Sequence, residues 1–265
     1  MKDGPPGISL PLEPVFPPSS FSALLAARGI GPVWEVPPGA APVELAEATT
    51  VLALRYDAGV AMVGDRQATE GYTVAHRRIQ KVFPADSYSA VAISGVAGIA
   101  TEMVRLLQTE LEHYEKLEGS RLSLEGKANH LARMVRGQVP MAMQGLVVVP
   151  LFCGFDTQDG QGHLYSYDVV GGRYEEIEYS ATGSGGREAK AFLRARYTDG
   201  MDRAAALHVG VAALTAAAEE DTATAGPDLR RRIFPTVVTV GEEGYAEAPE
   251  DEVAAIAEQV LGEAR

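Results

Sequence analysis

The sequence is poor in cysteine and in long apolar runs, and each shortage excludes a class of protein. Cys153 is the only cysteine among 265 residues, so no internal disulfide can form and a reducing compartment is the simplest expectation. No apolar run approaches the roughly 20 residues that a membrane-spanning helix needs. The first residues also lack the apolar core of a secretory signal. The sequence therefore predicts a cytoplasmic protein that does not enter a membrane.

Basic residues are also in short supply, which argues against a nucleic-acid-binding protein. The chain carries 23 lysines and arginines against 36 aspartates and glutamates, a formal net charge of −13 at pH 7. Its one dense basic run is Arg230-Arg231-Arg232, which is too short to form a basic stripe. We interpret this run as a local salt-bridge or interface patch and predict no nucleic-acid partner.

Several common catalytic and binding motifs are missing. None of the five histidines pairs with another histidine or with the cysteine at metal-ligand spacing, and there is no HExxH motif. The sequence therefore predicts neither a metal nor another cofactor. There is no GxSxG elbow and no P-loop. The glycine-rich loop 182–186 precedes a predicted helix, whose N-terminus could bind a phosphate. A nucleotide-binding module stays open as a weak alternative, because the loop lacks a complete GxGxxG motif.

Residues 1–48 differ in composition from the rest of the chain. Ten prolines recur among them, mixed with glycine, serine and alanine. Proline removes backbone donors and fixes φ, so this segment cannot build a regular core of its own. One short helix is predicted at residues 20–28. We interpret residues 1–48 as a tail or a removable segment, and residues 49–265 as the folded domain.

From Thr49 onward the pattern indicates an ordered sequence of strands and helices. Strands are predicted at residues 50–56, 60–63, 88–93, 146–155, 163–169, 174–179 and 235–240. Helical spacing of apolar residues predicts a long helix from Ala100 to Gly119 and a second one, capped by Ser123, toward Met143. Further helices are predicted at residues 186–197, 202–219 and 251–261. Hairpins grouped between helix pairs favour an α+β layered sandwich of antiparallel sheets with helices on the outer faces.

The most informative chemical feature is Thr49-Thr50 at the boundary between the two regions. A hydroxyl is a poor nucleophile at neutral pH and needs an adjacent base. The α-amine of a chain has an unperturbed pKa of about 7.7–8.0, so it can serve as that base. An N-terminal threonine thus carries nucleophile and base in one residue. This chemistry requires the removal of everything before it, which a proline-rich leading segment would permit.

The segment TTVLALRYDAGVAMVGDRQAT, followed by Lys81 and by SGVAG, resembles the start of a mature proteasome β-type subunit. The segments HYEKLEGSRLSLEGKANHLARMVRG, YDVVGGRYEE and GPDLRRRIFPT resemble actinobacterial members of that family in particular. The likeness covers residues 49–241. It implies the four-layer αββα sandwich of the N-terminal nucleophile hydrolases and a threonine endopeptidase activity. GDRQAT is also close to the related HslV-type peptidases, although the long leading segment fits them less well.

The resemblance assigns the register of the catalytic residues. In the family, an aspartate, a lysine and the oxyanion glycine follow the nucleophile by 16, 32 and 46 positions. Counting from Thr49 reaches Asp65, Lys81 and Gly95, whereas counting from Thr50 reaches Arg66, Val82 and Val96. The resemblance therefore implies that Thr49 is the nucleophile. Lys81 would lower the pKa of the Thr49 hydroxyl and amine, and Asp65 would hold Lys81 in place. The Gly95 N–H would bind the oxyanion.

Further family positions complete the implied site. Ser184 matches a serine near the terminal amine, and Asp221 and Thr224 match an Asp-x-x-Ser pair in which threonine replaces serine. Ala225 stands where a glycine is usual, and Gln67 stands where relatives often have an arginine. The substrate pocket carried over from the family is apolar, which implies cleavage after hydrophobic residues. Its positions are Ala68, Ile79, Phe83, Ile93, Ala97 and Thr101.

The resemblance also implies how the chain matures and with what it assembles. Self-cleavage would occur between Ala48 and Thr49, and alanine replaces the usual glycine there, which should slow processing because φ is more restricted. Implied partners are further β subunits in a heptameric ring, proteasome α subunits, a regulatory ATPase ring and polypeptide substrates. A non-catalytic structural β subunit remains the alternative if Ala48 blocks processing.

Overall fold

A computed structural model of the chain describes residues 49–70 and 73–263. The predictions for residues 1–48, including the helix at 20–28 and the cleavage position Ala48, lie outside the described residues. Within the described part of the chain, no helix is long and apolar enough to cross a membrane.

The described strands are distributed over two five-stranded sheets and one small hairpin. Sheet I has the strand order β10-β1-β2-β11-β12, and sheet II has the order β5-β6-β7-β8-β9. Strands β3 and β4 pair only with each other. All strand pairs are antiparallel. The strand bounds are β1 Thr50–Tyr56, β2 Gly59–Gly64, β3 Ala68–Glu70, β4 Thr73–His76, β5 Val82–Asp86, β6 Ser89–Gly95, β7 Val148–Asp156, β8 Gln161–Tyr167, β9 Arg173–Glu176, β10 Tyr179–Gly183, β11 Thr236–Gly241 and β12 Gly244–Glu247.

The helices begin and end largely where the sequence predicts. Ser123 caps the second helix by accepting a hydrogen bond from the Gly126 N–H, and Asp202 caps the fifth by accepting one from Ala205. Gly119 ends the first helix in the left-handed conformation, as expected for a glycine at that position. The bounds are α1 Ala97–Glu118, α2 Leu124–Gly137, α3 Val139–Ala142, α4 Gly186–Arg196, α5 Arg203–Glu220 and α6 Glu250–Glu263.

Three apolar cores separate four layers, which confirms the αββα sandwich. Strand β1 shows the arrangement within one element, because alternate side chains of a strand point to opposite faces. Leu52 and Leu54 pack with helices α4, α5 and α6 on the outer face of sheet I. Val51 and Ala53 pack between the two sheets, against sheet II residues such as Leu151. Helices α1 and α2 cover the outer face of sheet II.

The sequence prediction is wrong for one strand and misses several others. Residues 174–179 were predicted as a single strand, but they belong to two, because β9 ends at Glu176 in sheet II and β10 begins at Tyr179 in sheet I. The helix predicted from Ser123 toward Met143 breaks after Gly137, and Pro140 lies in the short α3. Strands β3, β4, β5 and β12 had no counterpart in the prediction.

A glycine allows Thr49, the first residue that the structure describes, to lie against sheet I. β10 pairs with β1 so that Gly183 lies opposite Thr50. Gly183 adopts φ +100, and a Cβ atom at this position would lie 1.6 Å from the carbonyl oxygen of Thr49. Only a residue without a side chain permits this approach, so the glycine is required by both backbone conformation and space.

We expect Gly183→Ala to destabilise the domain by more than about 3 kcal/mol, because strained backbone and a steric clash combine. Gly160→Ala is the matched control, since Gly160 also has a positive φ (+70) but open space around it; its cost should stay near 1–2 kcal/mol, roughly the penalty of the left-handed conformation. Urea-induced unfolding of both variants measures the difference. Equal losses would show that the close approach at Gly183 has no energetic consequence.

Candidate active site

Thr49 lies immediately before β1 and is 6 % exposed. Its carbonyl oxygen accepts a hydrogen bond from the backbone N–H of Ser184, with an N···O distance of 3.0 Å. Thr49 also lines a pocket together with Lys81 and Gly95. The residue predicted as the nucleophile is therefore held at the end of sheet I and faces a cavity.

Asp65 and Lys81 form a buried ion pair beside Thr49. Asp65 directly follows β2, and Lys81 directly precedes β5. The Lys81 Nζ lies 2.5 Å from Asp65 Oδ1, and the two side chains are 5 % and 0 % exposed. The structure thus places Asp65 in direct contact with Lys81, the residue that the sequence predicts as its partner.

The carboxylate of Asp65 accepts hydrogen bonds from three backbone groups as well. Its Oδ1 accepts from the Thr50 N–H at 3.0 Å, and its Oδ2 accepts from the Gln67 N–H at 3.1 Å and from the Ala225 N–H at 3.3 Å. A buried carboxylate needs such donors because isolated charges are costly away from water. Ala225, where the family usually has glycine, contributes its backbone donor, which any residue other than proline possesses.

Burial disfavours the charged forms of both Lys81 and Asp65. It lowers the pKa of Lys81, although the carboxylates of Asp65 and Asp221 oppose this change. It also raises the pKa of Asp65, against the opposing effect of Lys81 and of the Thr50 and Gln67 backbone donors. A lysine with a perturbed pKa at a cavity is a candidate functional residue.

A second polar cluster surrounds Asp221, which follows α5. The Asp221 Oδ2 accepts hydrogen bonds from the Ser184 hydroxyl at 2.6 Å and from the Thr224 hydroxyl at 2.5 Å. Burial raises the pKa of the Asp221 carboxyl, but these two hydroxyl donors and the Ala223 N–H outweigh burial and hold the pKa below its ordinary value. Asp221 is therefore ionised at neutral pH, and all three residues assigned to this part of the site come together.

The pocket beside Thr49 has a volume of about 70 Å³. All of the residues predicted for the substrate pocket line it, and besides Thr49, Lys81 and Gly95 the other lining residues are Thr69, Gln80 and Ala100. The predicted ones are Ala68, Ile79, Phe83, Ile93, Ala97 and Thr101. Gly95 lines the pocket with φ +109, and a Cβ atom there would lie 2.0 Å from the Val147 carbonyl oxygen. This position, too, accepts only glycine.

Two backbone donors of the glycine-rich loop after β10 are occupied by protein atoms. The Ser184 N–H donates to the Thr49 carbonyl, and the Gly185 N–H donates to the Thr50 hydroxyl at 2.9 Å. A phosphate bound by these two N–H groups would have to displace both bonds. The geometry therefore argues against the nucleotide-binding alternative.

Sequence reasoning missed two polar contributors to the site. The sequence presents Thr50 only as a rival nucleophile, yet its side chain is fully buried and lies 2.6 Å from the Thr224 hydroxyl. The sequence assigns Gln67 no role, and its Nε2 lies 3.4 Å from the Thr222 carbonyl oxygen. Thr50 does have a signal in the sequence, since this hydroxyl residue beside the predicted nucleophile starts a strand whose next four residues are apolar.

No three histidine, cysteine, aspartate or glutamate side chains come together as a metal site within residues 49–70 and 73–263.

Comparison with known proteins gives a consistent family. The family model described as "Proteasome subunit" matches residues 45–227. A protein named proteasome subunit beta from Acidimicrobium ferrooxidans is 51% identical over 246 residues, which cover 92% of this chain and 90% of that protein. This agrees with the four-layer sandwich, the fold of the N-terminal nucleophile hydrolases.

Two further relatives with the same name are similarly close. The protein from Stackebrandtia nassauensis is 50% identical over 230 residues, covering 85% of this chain and 82% of its own length. The one from Acidothermus cellulolyticus is 50% identical over 245 residues, covering 91% of this chain and 84% of its own. The similarity thus extends over most of the chain in each case.

We expect Asp65→Asn to lower the free energy of unfolding by about 3–5 kcal/mol, because it leaves the buried Lys81 ammonium without its opposite charge. The asparagine amide would also direct two N–H groups at existing donors. The double variant Asp65→Asn/Lys81→Met should recover part of the loss, since it removes the unpaired charge. Urea-induced unfolding monitored by circular dichroism provides the measurement.

Glu112→Gln is the matched control for this prediction. Glu112 pairs with Lys116 at the same 2.5 Å distance, but both side chains are more than 60 % exposed. Exposed pairs contribute little, so no measurable change is expected. An Asp65→Asn variant as stable as the wild type would contradict a structural role for the buried pair.

Proposed function

The chain belongs to the proteasome subunit family, and from this premise we propose that it is a catalytic β subunit that cleaves peptide bonds with Thr49 as its nucleophile. Proteasome β subunits are generally peptidases. The observation that carries the proposal is the buried Asp65–Lys81 ion pair at a pocket that Thr49, Lys81 and Gly95 line together. Acyl transfer requires a nucleophile, a nearby group that adjusts its pKa and a backbone donor for the oxyanion, and Thr49, Lys81 and Gly95 can supply these at one cavity.

The proposed reaction begins once Thr49 is the first residue of the chain. Its neutral α-amine accepts the hydroxyl proton while the Thr49 oxygen attacks the substrate carbonyl carbon. Lys81 favours the neutral amine and lowers the pKa of the hydroxyl through its charge. The Gly95 N–H donates to the oxyanion, an interaction whose loss typically costs about 100- to 1,000-fold in rate.

The tetrahedral intermediate then collapses to an ester between the Thr49 oxygen and the acyl half of the substrate. The ammonium of Thr49 returns its proton to the departing amine, so the first product leaves as a neutral amine. Water attacks the ester next and gives up a proton to the α-amine. The resulting ammonium protonates the departing Thr49 oxygen, which restores the hydroxyl and releases the second product as an acid. Asp221, Ser184 and Thr224 serve in this scheme to orient the groups around the amine.

The same hydroxyl would remove residues 1–48, although the Thr49 nitrogen is still an amide at that stage and cannot act as the base. The Thr49 oxygen would bond to the carbonyl carbon of Ala48, the bond from that carbon to the Thr49 nitrogen would break, and the hydroxyl proton would end on this nitrogen as the new α-amine. Water would then hydrolyse the ester and release the leading segment as an acid. We propose that this processing is slower than in relatives with glycine before the nucleophile, because alanine at position 48 restricts the turn that the attack needs.

The pocket supports a preference for hydrophobic substrate residues. Apolar side chains supply most of its lining, including Ile79, Phe83 and Ile93. An acidic substrate residue would lose its hydration in this pocket. Among the residues that the structure describes, Lys81 is the only cation that lines the pocket, and Asp65 already neutralises its charge. We therefore propose cleavage after hydrophobic residues of unfolded polypeptides.

Family membership implies assembly with α subunits into ring-shaped complexes. We propose that the β ring is heptameric, that an ATPase ring delivers the substrates, and that the complex works in the cytoplasm. The alternative of a non-catalytic structural subunit finds less support, because it would leave the buried pair and the Asp221 cluster without a purpose. The HslV-type alternative also finds less support, since the relatives compared above are named proteasome subunit beta.

We expect Thr49→Ala to abolish hydrolysis of a fluorogenic peptide and to leave residues 1–48 attached, because both reactions need the same hydroxyl. Intact-mass spectrometry of the assembled wild type should detect a chain that begins with Thr49. Thr49→Ser is the control that keeps a hydroxyl, and it should retain measurable activity. Hydrolysis by Thr49→Ala, or an assembled wild type that remains inactive and unprocessed, would contradict the proposal.

Cleavage preference can be measured with peptides that differ only in the residue before the scissile bond. We expect kcat/KM for leucine or tyrosine at this position to exceed that for aspartate or arginine by more than about tenfold, in line with the cost of burying an unpaired charge. Comparable rates for aspartate would show that the apolar lining does not select the substrate.

A further inference from the structure

Thr50 occupies a junction between the two polar clusters of the site. Its backbone N–H donates to Asp65 Oδ1, the atom that also accepts from Lys81 Nζ. Its backbone carbonyl accepts from the Asp65 N–H at 3.2 Å. The main chain of Thr50 is therefore bound to the Asp65–Lys81 pair from both sides.

The side chain of Thr50 reaches the other cluster. Its Oγ accepts from the Gly185 N–H at 2.9 Å and lies 2.6 Å from the Thr224 Oγ. Thr224 already donates its single hydroxyl proton to the ionised Asp221. Because a threonine hydroxyl has only one proton, the bond between the two threonines must run from Thr50 to Thr224.

These contacts form one directed chain of hydrogen bonds. It runs from the Gly185 N–H through the Thr50 and Thr224 hydroxyls to Asp221 Oδ2, the oxygen that also accepts from the Ser184 hydroxyl. Thr50 is fully buried and Thr224 is 5 % exposed, so water does not compete for the bond between them. Donors in such a chain polarise one another toward the final negative charge.

We propose that Thr50 is a positioning residue: its hydroxyl binds the Asp221–Ser184–Thr224 cluster while its backbone binds the Asp65–Lys81 pair, and together these bonds fix the peptide unit that carries the Thr49 nucleophile. The proposal rests on the catalytic function proposed above for Thr49. It assigns Thr50 no contact with substrate and no share in proton transfer to it.

The side-chain hydroxyl, not the volume of Thr50, is the group under test. Valine has nearly the same shape as threonine and keeps the backbone donor and acceptor, but it leaves the Gly185 N–H without its acceptor and Thr224 without its donor. A buried polar group left unpaired costs enough to displace the loop that bears it. A small displacement at a nucleophile lowers the rate of the chemical step without changing the substrate pocket.

The test compares Thr50→Val, Thr50→Ser and wild type in assembled, processed particles, using a fluorogenic peptide with a hydrophobic residue before the scissile bond. We expect kcat of Thr50→Val to fall by about 10- to 100-fold, with KM within about twofold of wild type. Thr50→Ser, which restores the hydroxyl, should regain most of the lost kcat. Thr239→Val is the matched control, since Thr239 is another buried strand threonine of sheet I outside the site, and its kcat should equal that of wild type.

A double-mutant cycle separates positioning through Thr224 from a general packing effect. If Thr50 acts through Thr224, the double variant Thr50→Val/Thr224→Val is no slower than the slower single variant. Multiplicative losses would overturn the proposal, as would a Thr50→Val variant with wild-type kcat. Should Thr50→Val fail to assemble, Thr50→Cys replaces it, because its thiol is a weak donor; a kcat below that of Thr50→Ser supports the proposal and an equal kcat overturns it.

Including Thr49→Ala in the same peptide assay distinguishes failure of this inference from failure of the proposed function. If Thr49→Ala still hydrolyses the peptide, the function assigned to Thr49 is wrong and the positioning role falls with it. If Thr49→Ala is inactive while Thr50→Val matches the wild type, only the role of Thr50 is wrong.

Discussion

One buried carboxylate organises the candidate active site. Asp65 is fully enclosed and accepts hydrogen bonds from the Lys81 ammonium and from the backbone of Thr50, Gln67 and Ala225. A charge in this environment is tolerable only when donors surround it, and these donors come from four separate segments of the chain. The carboxylate therefore fixes the start of β1, the connection after β2, the residue before β5 and the loop after α5 relative to one another. Displacing any of these segments would leave part of the charge without a partner.

The four-layer sandwich explains how such a charge can be buried at the end of a central strand. The inner faces of the two sheets form a continuous apolar core, and the helices close the outer faces. The polar residues gather where strands end and backbone groups are free to bind side chains. Lys81 and Thr49 reach the pocket from the starts of β5 and β1. Asp221, which follows helix α5, binds the hydroxyls of Ser184 and Thr224. The low dielectric of the surrounding core strengthens every hydrogen bond in the cluster, so small shifts in geometry have large consequences there.

Much of the fold could be predicted because its signals are local. The caps at Ser123 and Asp202 and the left-handed Gly119 mark helix ends through the chemistry of single residues. The failures are equally physical. Residues 174–179 contain no glycine, proline, asparagine, aspartate or serine, so no turn residue indicates that the chain leaves sheet II and enters sheet I there. Strand β5 contains Pro84, which lowers its strand propensity, and β3 and β4 are too short and polar to stand out.

The sequence by itself determined the residue types and their spacing: a threonine at the boundary of a proline-rich segment, and an aspartate, a lysine and a glycine at the intervals that favour Thr49 over Thr50. These properties depend only on the order of residues along the chain and need no knowledge of the fold. Only the tertiary structure decided which backbone groups complete the site, because Ala225 and Asp65 are 160 residues apart and meet through the packing of α5 on sheet I. The same holds for Thr50, whose hydroxyl meets Thr224 across 174 residues. No local pattern encodes these contacts, since they depend on where strand pairing and helix packing bring the ends of distant elements together.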